Sequence, residues 1–142
     1  MFDEALARLA ACGCPGPAPV GIASQSRVLW AASSGEGVGL MFDSGLALDY
    51  VPDSRTPEEY GTDAAAMIAD DAANGGSGFR LVTVRGVVGM GADPDAHGPG
   101  ALTWVTGRYS VRMLTQMLPG RTGVQFSLDD LLSIAEQLQV PR

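Results

Sequence analysis

The stretch ALTWVTGRYSVRM, residues 101–113, alternates apolar and polar side chains up to a Thr-Gly step and resumes the alternation beyond it. Taking Thr106 and Gly107 as a two-residue hairpin loop sets Val105 opposite Arg108, Trp104 opposite Tyr109, Thr103 opposite Ser110 and Leu102 opposite Val111. On that register Leu102, Trp104, Tyr109, Val111 and Met113 share one face, while Thr103, Arg108, Ser110 and Arg112 share the other; Val105 breaks the polar side. One dry face and one wet face is the pattern of an antiparallel hairpin lying on a core. Trp104 and Tyr109 are therefore expected as cross-strand neighbours on the core side.

Working outward, Phe79 to Met90 reads as a strand interrupted by glycines. Arg27 to Ala32, Val38 to Phe42 and Leu46 to Val51 read as a meander, with Asp43-Ser44-Gly45 as a three-residue loop whose glycine takes the left-handed position. A helix is expected over residues 57–73, capped by Thr56, opened by Pro57, with Glu58 and Glu59 at the positive end of its dipole. Tyr60, Ala64, Met67 and Ile68 form its buried stripe, and Asn74-Gly75-Gly76 stops it. Asp70 and Asp71 fall at the negative end, so an arginine neighbour is expected there.

A last helix over residues 128–139 is capped by Ser127 with Asp130 closing a capping-box variant, stapled by Phe126 against Leu131, and striped by Leu128, Leu131, Leu132, Ala135 and Leu138. An N-terminal helix over residues 2–11 puts Phe2, Leu6, Leu9 and Ala10 on one face and ends at Gly13 and Pro15. Strands between helices without strict alternation make one α+β domain over residues 1–142, in which a mostly antiparallel sheet packs helices against one face.

The 142 residues carry nine arginines, no lysine and sixteen acids, a net charge of −7, with 46% hydrophobic and 18% charged residues. That acidity argues against nucleic acid as a partner, and the composition is that of a soluble globular protein without an apolar run long enough to span a membrane. Leu9-Ala10-Ala11-Cys12 has the form of a lipoprotein cleavage box, but Asp3 and Glu4 and the short apolar run before it speak against a signal. As it stands the chain reads as cytoplasmic.

Chemistry-bearing groups are sparse. Gly86-Val87-Val88-Gly89-Met90-Gly91 lacks the following helix that a dinucleotide site needs. Asp93, Asp95 and the sole histidine, His97, offer oxygen and nitrogen ligands for weak cation binding on an acidic loop. Cys12 and Cys14, too close for an unstrained mutual disulfide, read as ordinary thiols; paired with His97 they would make a thiol-dependent enzyme. Trp30, Trp104 and Tyr109, with Tyr50, could line a ligand cleft, although strand aromatics usually fill a core. The partner-binding surface expected is the polar hairpin face of Thr103, Arg108, Ser110 and Arg112, which either neutralises acids such as Asp70 and Asp71 or meets an acidic protein. No cofactor motif is present.

From Val84 to Leu138 the order is Val-Arg-Gly-x-x-Gly, an acidic Pro/Gly loop, Leu102-Thr103-Trp104, a tight turn, Tyr109-Ser110-Val111, and Ser127-Leu128-Asp129-Asp130-Leu131-Leu132-Ser133-Ile134-Ala135-Glu136-Gln137-Leu138. This order resembles the uncharacterised C-terminal domains attached to bacterial membrane-anchored anti-sigma-type and lipoprotein-carrier-like proteins, which show a tryptophan strand, a G-x-Y-x-L strand and a closing L-x-x-I-A-x-S-L helix. The resemblance implies a non-catalytic, extracytoplasmic binding or regulatory module with a sheet-on-helix fold; Gln137 stands where that family has a small residue. The expectation is a non-enzymatic binding or regulatory domain of a bacterial protein that contacts another protein. The alternatives are a small-ligand or cation-binding domain and the thiol enzyme.

Overall fold

A computed structural model describes residues 2–15, 28–34, 37–42, 44–76, 78–95, 99–115 and 126–138. In chain order the elements are α1 (Phe2–Cys12), β1 (Val28–Ser34), β2 (Gly37–Phe42), β3 (Leu46–Pro52), α2 (Pro57–Ala73), β4 (Arg80–Val84), β5 (Val87–Ala92), β6 (Ala101–Val105), β7 (Tyr109–Thr115) and α3 (Leu128–Gln137). The strands form one sheet in the order β1-β2-β3-β7-β6-β5-β4, antiparallel throughout. The α+β class with an antiparallel sheet is thus as the alternation implied.

Both faces of the sheet carry helices, where one was expected. On the first face, Leu9 of α1 and Leu128, Leu131, Ile134 and Ala135 of α3 join Val38, Leu40, Leu48, Tyr50, Leu102, Trp104, Val111 and Met113 in one core. On the second face, Tyr60 and Ala64 of α2 pack with Val105 and Met90. Trp104 and Val105 are consecutive in one strand and so point to opposite sides. Val105, which broke the polar side of the hairpin, is the residue α2 covers.

Two turns differ from the sequence reading. Phe79 to Met90 is not one strand but the hairpin β4–β5, because Arg85 (φ 51°) and Gly86 (φ 79°) both take left-handed conformations and reverse the chain between Val84 and Val87. In β6–β7, Trp104 lies opposite Val111 and Leu102 opposite Met113, two residues along from the expected register. The tip is Gly107-Arg108, with Gly107 at φ 96°, and Thr106 N–H donates to Tyr109 O at 2.9 Å. Glycine at the first central position suits a type II′ turn, whereas the expected register put it second. A slip of two preserves parity, so Trp104 and Tyr109 share the core face but are diagonal neighbours.

The helix starts hold as read: Thr56 with Glu59 and Ser127 with Asp130 both form capping boxes. Three stripe assignments change. Met67 is 50% exposed, Ala10 is exposed, and Ile134 is buried in the stripe of α3. Gln139, at the expected end of the last helix, lies outside the described residues.

The β4–β5 hairpin and the loop after it grip α3 at both ends. Leu128 N–H donates to Asp93 Oδ1 at 2.8 Å, while Arg85 Nη1 donates to Ala135 O and Leu138 O at 3.0 and 2.9 Å. An acid at the N-terminus and a cation at the C-terminus match the helix dipole. Between them Gly91 lets α3 come close: a Cβ there would overlap Leu128 Cδ1 and sit 3.1 Å from Ala101 O. At the other end of the core, Tyr50 O–H donates to Pro15 O and pins the segment after α1; burial pushes its phenol pKa up.

Gly91→Ala should destabilise the protein by about 1–3 kcal/mol through overpacking. Gly61→Ala, whose Cβ would meet Val88 at an ordinary 3.6 Å, should stabilise it by about 0.5–1 kcal/mol through helix propensity. Urea titration of both variants checks the pair, and equal effects would contradict the packing described.

Candidate functional site

Helix α2 lies over β4, β5 and β6 and leaves β3 and β7 on the second face beyond its footprint. There Val51 stands opposite Ser110 and Asp49 opposite Arg112, while Arg112 also faces Thr103 and Ser110 faces Val105 across β6. The three strands make a shelf beside the helix. Three members of the expected partner surface, Thr103, Ser110 and Arg112, therefore do share a face, and Arg108 sits at the turn closing it.

The shelf is braced by polar contacts. Arg112 Nη2 reaches Asp49 Oδ2 at 2.7 Å, an opposite-charge pair placed directly across the ladder. Asp53 N–H donates to Arg108 O at 2.8 Å, tying the β3–α2 connection to the β6–β7 turn. Arg55 grips Asp53 through Nη2 at 2.6 Å and Nε at 3.1 Å, reaches Asp63 at 3.2 Å, and lies 5.1 Å from the centre of the Tyr60 ring. Tyr60 O–H donates to Thr103 O at 3.2 Å, so the first turns of α2 form the wall of the shelf. Burial pushes the Tyr60 phenol up to about 12. The Arg55 hydrogen bonds hold the Asp53 carboxyl below the usual carboxylate range.

The internal role expected of this surface takes a different form. Arg112 pairs with Asp49, not with Asp70 or Asp71. Arg108 is exposed, and among the described residues its guanidinium has no ion-pair partner. Val51, opposite Ser110 on the ladder, is 52% exposed. The combination is one open cation, a braced ion pair, a hydroxyl and an apolar side chain on one ladder; a guanidinium so placed can bind a carboxylate.

The remaining candidates fall elsewhere. Trp104 is 2% exposed and Tyr109 half-buried, both on the core face away from the shelf; the side chain of Trp30 lies outside the described residues. Asp93 accepts the Leu128 N–H and pairs with Arg80 at 3.3 Å, and the Leu128 bond foremost holds its carboxyl low. It thus serves α3; His97 lies outside the described residues, and among those described no three ligating side chains converge. Cys14 is buried and disulfide-bonded, which corrects the reading of it as an ordinary thiol.

Asp49 and Val51 were missed because they sit on the wet side of an apolar strand. Only the pairing of β3 with β7, distant in sequence, brings them beside Ser110 and Arg112. No family model, curated protein or solved structure matches the chain.

Asp53 should contribute to acid sensitivity. Its folded pKa lies below the unfolded value of about 3.9, so the stabilisation is present above that pH and is lost as pH falls through the folded value. Asp53→Asn should be less stable than wild type near neutrality and should show a flatter decline on acidification, as followed by thermal melts across the acid range. An unchanged slope would mean that the Asp53–Arg55 grip is not maintained in solution.

Proposed function

We propose that the chain is a non-enzymatic binding or regulatory domain that docks an acidic segment of another protein on the shelf formed by β3, β7 and the start of α2. The observation that carries this is an exposed Arg108 at the turn that closes the shelf, with half-exposed Val51 on the same shelf opposite Ser110, on a protein of net charge −7. In a molecule so acidic, a cation left open at the edge of this surface is a local spot that attracts a carboxylate-bearing partner. Arg112, already neutralised by Asp49, supports the register of the ladder, and Ser110 offers a hydroxyl between the two arginines.

A photo-cross-linking residue at Ser110 should capture one discrete protein in cells expressing the chain, and Arg108→Glu should abolish that capture without changing the melting temperature. The same probe at Ala66, on the exposed back of α2, serves as control. Equal capture at both positions, or capture indifferent to Arg108→Glu, would refute this assignment. Arg112→Ala should cost only about 0.2–1 kcal/mol of stability, the value of an exposed pair.

A further inference from the structure

Strand β4 ends the sheet, and among the described residues no strand pairs with its outer side. Because Val84 and Val87 close a two-residue turn, the backbone groups of Val84, Val82 and Arg80 face β5. Those of Leu81 and Thr83 face outward. Edge strands normally carry a central charge or a bulge against pairing, yet the middle of β4 reads Leu81-Val82-Thr83, in even register with β5, and Leu81 is 46% exposed. Its diagonal neighbour on β5, Val88, is 40% exposed on the same face.

The helix above this edge explains the exposure. Tyr60 reaches towards β6 and Gly61 sits on Val88, so the flank of α2 towards β4 carries Gly61, Ala65, Ala69 and Ala72, small residues that leave Leu81 and Val88 uncovered. By helical spacing Asp63 and Asp70 lie on the Tyr60 side, Glu59 points away from the sheet and half-buried Asp71 falls on the Tyr60–Ala64 stripe; of the five acids of α2 only Glu58 lies on the β4 flank. On a chain of charge −7 this is a stretch where a like-charged molecule meets little repulsion.

We propose that β4 pairs antiparallel with β4 of a second copy, about a two-fold axis at Val82. That register sets Leu81 opposite Thr83 of the other copy and Arg80 opposite Val84, so no arginine faces an arginine. It joins the exposed Leu81 and Val88 of both copies into one apolar strip. It also brings Arg80, whose own pair with Asp93 is exposed, beside Glu136 of the other copy, since the Glu136 carboxylate accepts the Arg85 N–H at the end of β4. The contact is isologous and closes on itself, and it leaves the β3–β7 shelf free. Its strip is short beside the roughly 800 Å² per partner of a standard interface, so the dimer is weak and concentration-dependent.

Sedimentation equilibrium of the full chain should show a monomer–dimer equilibrium below about 1 mM. Leu81→Lys and Thr83→Pro should each weaken it at least about tenfold, with unchanged melting temperatures, since Thr83 N–H makes no bond within the monomer ladder. In wild type, hydrogen exchange at the Leu81 and Thr83 amides should slow as concentration rises while that at Val51 does not, a readout that stands even if a variant fails to fold. A chain monomeric throughout that range, or a dimer indifferent to both substitutions with no added protection at Leu81 and Thr83, overturns the proposal.

Discussion

Two strand groups, β1–β3 and β4–β7, become one sheet only where Leu46–Pro52 pairs with Tyr109–Thr115. The two sides of this ladder are remote in the chain, with Asp49 and Arg112 63 residues apart. Loop-closure entropy grows only slowly with such separation, by roughly 0.6 kcal/mol per doubling, so the ladder forms provided its apolar face repays ordering the rest. It does so through Leu48 against Met113 and Tyr50 against Val111, all buried under α1 and α3. Without this seam the first-face core would be two separate patches.

The connection that makes the seam possible is α2. It carries the chain from the centre of the sheet to its far edge, after which β4 to β7 return strand by strand to meet β3. Since α2 takes the second face, α1 and α3 share the first. The polar grips sit where the chain changes direction: Asp53 and Arg55 at the entry to α2, Arg85 and Asp93 at the ends of α3. Each satisfies backbone or charge that a turn would otherwise leave bare.

The same arrangement divides the remaining surface. The second face is dry under α2 and open over β3 and β7, where Arg108 and Val51 face solvent; at the far edge, Leu81 and Val88 are bare because α2 offers only small residues above them. Two unlike surfaces follow, one polar with paired charges and the exposed Arg108 at the centre of the sheet, one apolar at its edge. The proposed docking on the first and the proposed pairing through the second use different residues.

Local physics made most of the elements legible. Thr56 and Ser127 marked helix starts because capping acts within four residues, and the alternation of Val38, Leu40 and Phe42 marked a buried face because side-chain direction in a strand has period two. The face assignment of the β6–β7 hairpin survived a wrong register for the same reason. What sequence could not supply was anything set by contacts between distant segments or by backbone angles of single turn residues. Arg85 in a left-handed conformation is uncommon for a non-glycine residue, so the β4–β5 turn was hidden in an apparently continuous strand. Met67 looked buried because helical spacing fixes a stripe but not how far the sheet beneath it extends. Arg112 was legible as a surface cation, but its partner Asp49 was chosen by the β3–β7 seam, since an ion pair depends on a few ångströms of tertiary geometry that no local pattern encodes.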